Sequence, residues 1–107
     1  MKELENLYDL ALERKKNPEQ GSYTTYLYEK GLEKILKKIG EESTEVVVAA
    51  LSQSNEELIG EINDLFYHVI VLMVEKGITL EDVEAEMVRR SLKQHNLKAE
   101  RKPVTNV

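Results

Sequence analysis

The chain has 107 residues, room for a single domain with one modest core. Its 15 Lys+Arg against 20 Asp+Glu leave a net charge of −5, which argues against non-specific nucleic-acid binding, since that runs on clustered positive charge. The absence of cysteine excludes disulfide frameworks, thiolate zinc sites and cysteine nucleophiles. No amino-terminal stretch joins positive charge, an apolar run and a small-residue cleavage site, so no signal peptide is expected. The longest fully apolar runs, Val46 to Leu51 and Val69 to Val74, are six residues, too short for a membrane span. A cytoplasmic protein with neither a membrane nor a nucleic-acid partner is expected.

The pattern is helical throughout, and the fold class it predicts is all-α, with four to five helices. From about Glu3 to Lys16, Leu4, Leu7, Tyr8, Ala11 and Leu12 recur at three-and-four spacing, the mark of an amphipathic helix. The breaker run Asn17 to Ser22 ends it. A short helical piece follows over Thr24 to Lys30. The next helix, about Leu32 to Ser52, places Ile35, Ile39, Val46 and Ala50 on one stripe. Ser54 and Glu57 make a capping box for a helix from Asn55 to Glu75, and Gly77 stands where a left-handed cap would end it. Thr79, with Asp82 as reciprocal partner, caps a last helix over about Leu80 to Gln94. Residues from about 96 onward have no apolar period and are expected to form a loose tail of the single 1–107 domain.

The two central helices, each about 30 Å long, are joined by so short a turn that an antiparallel hairpin is expected. Both are apolar over more than one stripe and need cover on several sides. One short chain has few helices to supply it, so the bundle is expected to be completed by homodimerisation. Gly40 and Gly60, which each cost a helix about 1 kcal/mol relative to alanine, are read as places of close helix or ligand approach.

Carboxylates on an apolar face point to chemistry. Glu42 and Glu45 sit three apart among Ile39, Val46 and Ala49, and Glu61 and Asp64 repeat the spacing among Leu58, Ile62, Leu65 and Phe66. A single acidic pair at this spacing is ordinarily a solvated face. Two such pairs, at similar heights across a tight turn, would converge, and their mutual repulsion and lost hydration call for a cation. All-oxygen ligation by Glu42, Glu45, Glu61 and Asp64 suits Mg²⁺, with Mn²⁺ as a substitute. A di-iron site would want Glu-x-x-His motifs, whereas His68 lies four residues past Asp64. Lys38 precedes Glu42 by four residues and Lys37 precedes Glu41 likewise. They are either helix-surface ion pairs worth about 0.2–0.5 kcal/mol each or a phosphate-binding edge beside a metal site, suited to phosphate-ester hydrolysis. His68 is either an outer partner of the Asp64 ligand or a satisfied core histidine.

The run Glu41-Glu42-x-x-Glu45, fifteen residues, then Glu61-x-x-Asp64 resembles the signature of the all-α nucleoside-triphosphate pyrophosphohydrolases. Gly21-Ser22-Tyr23-Thr24, the run Lys37 to Glu45 and the run Glu61 to His68 are similar, more narrowly, to the phosphoribosyl-ATP pyrophosphatases of histidine biosynthesis, over about Leu4 to Arg90. The resemblance implies Mg²⁺-dependent cleavage of phosphoribosyl-ATP to phosphoribosyl-AMP and pyrophosphate. Glu42, Glu45, Glu61 and Asp64 would hold the metal, and Glu41 would be an outer acid or would orient water. Lys37 and Lys38 would neutralise phosphate, as would Arg89 and Arg90, for which the helix dipole offers another explanation. Ser22, Tyr23 and Thr24 would contact substrate, the alternative being a Ser-capped turn. The stretch Arg90 to Lys102 contains no glycine, where members of the family often carry one. No residues of a fused cyclohydrolase are present, so a stand-alone form is expected. A house-cleaning pyrophosphohydrolase of other nucleotides and a non-catalytic helical dimer are the competing classes.

Overall fold

Five helices, α1 (Lys2–Lys16), α2 (Tyr23–Lys30), α3 (Leu32–Ser52), α4 (Asn55–Lys76) and α5 (Leu80–Leu97), account for nearly all of a computed structural model that describes residues 1–97. No strand occurs among the described residues. The loose tail expected from about residue 96 falls largely outside them. Its first two residues, Asn96 and Leu97, are still in α5, which runs three residues beyond Gln94.

Local chemistry sets the boundaries. α1 carries Glu3 and Glu5 in its first turn and Arg14, Lys15 and Lys16 in its last, the order the helix dipole favours. Ser22 caps α2 by accepting from the Thr25 amide at 3.2 Å. Gly31, at φ +92°, separates α2 from α3 with a backbone turn that other residues rarely adopt. The capping box at Ser54 and Glu57 is fully formed, and Gly77 ends α4 in the left-handed conformation. Thr79 and Asp82 exchange amide bonds of 2.9 and 3.0 Å at the start of α5.

Two apolar clusters hold the helices together. One contains Ala11, Ile70, Met73 and Val74, with Leu4, Leu7, Leu80 and Val83 around it. The other contains Leu27, Ile35 and Val71, all fully buried, with Ile39 and Tyr67 against them. Tyr8 Oη donates to the Ile78 carbonyl and Tyr28 Oη to the Ala11 carbonyl, tying α1 to the end of α4 and to α2. α3 and α4 share the most extensive helix contact. The face that α3 turns inward differs from the expected stripe by one position. Ala49 is buried and Ala50 exposed, so the inner line runs Ile35, Glu42, Ala49. That sevenfold repeat keeps one face over two turns, which Ala50 leaves by about 100°.

Large apolar side chains remain uncovered on both central helices, among them Val47, Leu51 and Ile59, and on α5 Met87, Val88 and Leu92. A β-carbon built on Gly40 or Gly60 meets nothing within 4 Å, so neither glycine is a point of close helix approach among the described residues. No helix among them is long and apolar enough to cross a membrane.

Candidate active site

The inner line of α3 delivers Glu42, a carboxylate that is 7 % exposed, against α4. One carboxylate oxygen from each of Glu42, Glu45 and Glu61 falls within 4.8 Å of the others. Glu42 is buried, Glu61 half-buried and Glu45 exposed, so the group opens to solvent on one side. Oε1 of Glu42 and Oε1 of Glu61 are shut off from solvent and have no hydrogen-bond partner among the described residues. Orphaned buried carboxylate oxygens are costly unless something accepts their lone pairs. Burial pushes the Glu61 carboxyl above its usual range, and the neighbouring Glu45, Asp64 and Glu42 push it further. Three carboxylates gathered this closely, two of them with a buried unpartnered oxygen, fit a divalent cation such as Mg²⁺ or Mn²⁺. Asp64, expected as a fourth ligand, is exposed and stands outside the group, acting on Glu61 only as a nearby negative charge.

The cations divide unequally. Lys38 Nζ lies 3.3 Å from Glu41 and 3.7 Å from Glu42, so it sits at the edge of the acidic group. Its hydrogen bond to Glu41 raises its pKa, and Glu41 itself is exposed. Lys37 is exposed and takes no part in these pairs. Arg89 and Arg90 both turn to Glu86 on their own helix, each with an Nε–carboxylate bond of 2.8 Å.

Around the first turn of α2 the expected substrate contacts are engaged within the fold. The Ser22 hydroxyl is the α2 cap. Tyr23 Oη lies 3.0 Å from His68 Nε2, and Thr24 Oγ1 meets Tyr67 Oη. His68 is buried, and its Nδ1 reaches the main-chain oxygen of Asp64 at 2.8 Å, so it touches the backbone of that residue and not its carboxylate. Reasoning from the sequence misses Tyr67 and Tyr26. With Tyr23 they form a ladder of stacked rings, with centroids 5.9 and 6.0 Å apart. Tyr67 directly follows Phe66 and precedes His68, and adjacency to that histidine is the one signal that points to it. A concavity of about 710 Å³ runs along the turn Pro18 to Ser22, with Tyr23, Tyr26 and Glu29 in its wall. None of the three clustered carboxylates lines it.

Residues 4–91 match the family model described as phosphoribosyl-ATP pyrophosphohydrolase. The chain is also similar to proteins named phosphoribosyl-ATP pyrophosphatase. One, from Clostridium novyi, is 50% identical over 104 residues, covering 97% of this chain and 94% of the relative. Another, from Leuconostoc mesenteroides, is 60% identical over 87 residues, covering 81% and 75% respectively. A third, from Streptococcus gordonii, is 55% identical over 94 residues, covering 88% and 90%.

Proposed function

Because the chain belongs to the phosphoribosyl-ATP pyrophosphohydrolase family, we propose that it hydrolyses phosphoribosyl-ATP to phosphoribosyl-AMP and pyrophosphate, the second step of histidine biosynthesis. The observation that carries the reading is the convergence of Glu42, Glu45 and Glu61, two of them with a buried, unpartnered oxygen. These three, with Asp64 beside them, would hold Mg²⁺, or Mn²⁺ in its place. The ion, when bound, would offset phosphate charge and make a water more acidic. Lys38 flanks the acids with a fixed ammonium and Lys37 adds a second positive charge one residue before it, so together they neutralise phosphate oxygens as the substrate enters. Glu41, bonded to Lys38, sets where that ammonium lies and is the outer acid of the group. Arg89 and Arg90 would reach a phosphate only by giving up Glu86. Ser22 would contact substrate through its hydroxyl, which accepts from the Thr25 amide and keeps its own proton to donate, and Thr24 would do so through its backbone N–H in the first turn of α2. We place the reaction in the cytoplasm.

The test is incubation with phosphoribosyl-ATP, with and without Mg²⁺, followed by ³¹P resonance. Pyrophosphate appearing with phosphoribosyl-AMP only when Mg²⁺ is present is the expected result. Release of single phosphate, or no turnover, overturns the reading. Pyrophosphate from other nucleotides alone would place the chain among house-cleaning enzymes with the same acids.

We further propose that α3 and α4 form an antiparallel hairpin and that two chains complete the bundle. The pairing of Ile35 with Val71 and of Glu45 with Glu61 supports the first point, because partners move apart in number as the helices recede from the turn. The uncovered Val47, Leu51 and Ile59 support the second, since a monomer would leave that face in water. Light scattering after size exclusion should give twice the chain mass at micromolar concentration, and a monodisperse monomer would refute the dimer.

A further inference from the structure

Two adjacent residues of α2 are tied to two adjacent residues of α4: Tyr23 to His68 and Thr24 to Tyr67. The first tie has a fixed polarity. The Asp64 main-chain oxygen can only accept, so His68 carries its ring proton on Nδ1, 2.8 Å away. In the neutral ring Nε2 is then a lone pair, and the Tyr23 hydroxyl donates to it. To its other neighbours the same phenol oxygen therefore presents lone pairs and no proton. Burial raises the Tyr23 pKa most, the Lys38 ammonium lowers it, and Glu42 raises it. Such an oxygen suits an ammonium or a water as donor and cannot give a hydrogen bond to a phosphate oxygen.

Two other tyrosine ties differ. Tyr8 and Tyr28 donate to main-chain carbonyls, which any sequence supplies. Tyr23 depends on one particular side chain, itself anchored one turn from the acidic group. We propose that Tyr23, held by His68, is a positioning residue for the pyrophosphate-releasing reaction, fixing the first turn of α2 against the stretch of α4 that carries Glu61. This rests on the function proposed above. Misplacing a reacting geometry by about 1 Å can cost up to ~100-fold in rate, so the effect belongs in kcat.

The experiment compares steady-state kinetics and thermal unfolding of wild type, Tyr23→Phe, His68→Gln, His68→Asn and Tyr28→Phe at saturating Mg²⁺. Tyr23→Phe keeps the ring and loses the hydroxyl; kcat should fall by about 10- to 100-fold with KM changed by less than about threefold. Gln at position 68 can place an acceptor where Nε2 was and should retain most of kcat. Asn keeps the bond to the Asp64 carbonyl but is too short to reach Tyr23, and should resemble Tyr23→Phe. Tyr28→Phe should lose stability and keep kcat. Wild-type kcat in Tyr23→Phe, an equal loss in Tyr28→Phe, or equal kcat in the two His68 variants overturns the positioning role while leaving the function standing. If the His68 variants do not fold, Tyr23→Phe and Tyr28→Phe decide between them. Failure of wild type itself to release pyrophosphate removes the function, and the proposal with it.

Discussion

Glu61 on α4 and Glu86 on α5 are both glutamates on long helices, yet their surroundings are opposite. Glu86 has Arg89 and Arg90 three and four residues ahead, and their hydrogen bonds hold its carboxyl down to about 2. Glu61 faces Glu45 and Glu42, has an orphaned oxygen, and is pushed up. One acid is satisfied by its own helix and needs no ligand. The other keeps a buried oxygen that nothing in the described chain satisfies. A folded protein keeps such a conflict only where something outside the chain resolves it. This contrast separates the paired charges of α5 from the interface of α3 and α4, where the site is proposed.

The sharpest way to break this contrast is Glu61→Gln. It removes one charge from the conflicted group and one ligand from the proposed metal site. Turnover should fall by more than about a hundredfold, the scale of several kcal/mol of lost metal-assisted stabilisation. The metal-free variant should unfold at the same temperature as wild type or higher, because repulsion is relieved. Millimolar Mg²⁺ should raise the melting temperature of wild type by binding linkage and that of the variant less. Equal shifts in the two proteins would remove Glu61 from the site.

Much of this contrast is legible in the amino-acid sequence. The caps at Ser54/Glu57 and Thr79/Asp82 and the left-handed Gly77 depend on residues within a turn of one another, so spacing suffices to find them. The acidic group is legible because Glu42 interrupts an otherwise apolar face. The pairing of Arg89 and Arg90 with Glu86 is equally local, and a reading of the helix end alone overlooks it. What spacing does not supply are the relations between helices. One residue of rotation decides whether Ala49 or Ala50 faces inward, and the packing of α4 on α3 leaves Asp64 exposed and outside the three-carboxylate group. The engagement of Tyr23 and Thr24 with His68 and Tyr67 spans 45 and 43 residues of sequence, and no local pattern encodes it.

Acid titration of the metal-free protein sharpens the same comparison with smaller effects, since the two glutamates contribute slopes of opposite sign. Glu61 has a folded pKa above the ordinary 4.5, so the folded state takes up its proton first. Its contribution to stability therefore grows as pH falls through the raised value and is complete below 4.5. Glu86, held down to about 2, contributes stability above 4.5 that is lost as pH falls from there toward 2. The difference in unfolding free energy between wild type and Glu61→Gln should change on the upper limb only. The difference between wild type and Glu86→Gln should change on the lower limb only, and should be the smaller, because Glu86 pairs with exposed arginines that solvent and salt screen. Raising the salt concentration should shrink the Glu86 difference further. Turnover of Glu86→Gln at neutral pH should match wild type, since its carboxylate is outside the three-carboxylate group. A loss of activity there comparable to that of Glu61→Gln would mean that α5 reaches the reacting phosphates and that the division between surface and site is drawn in the wrong place.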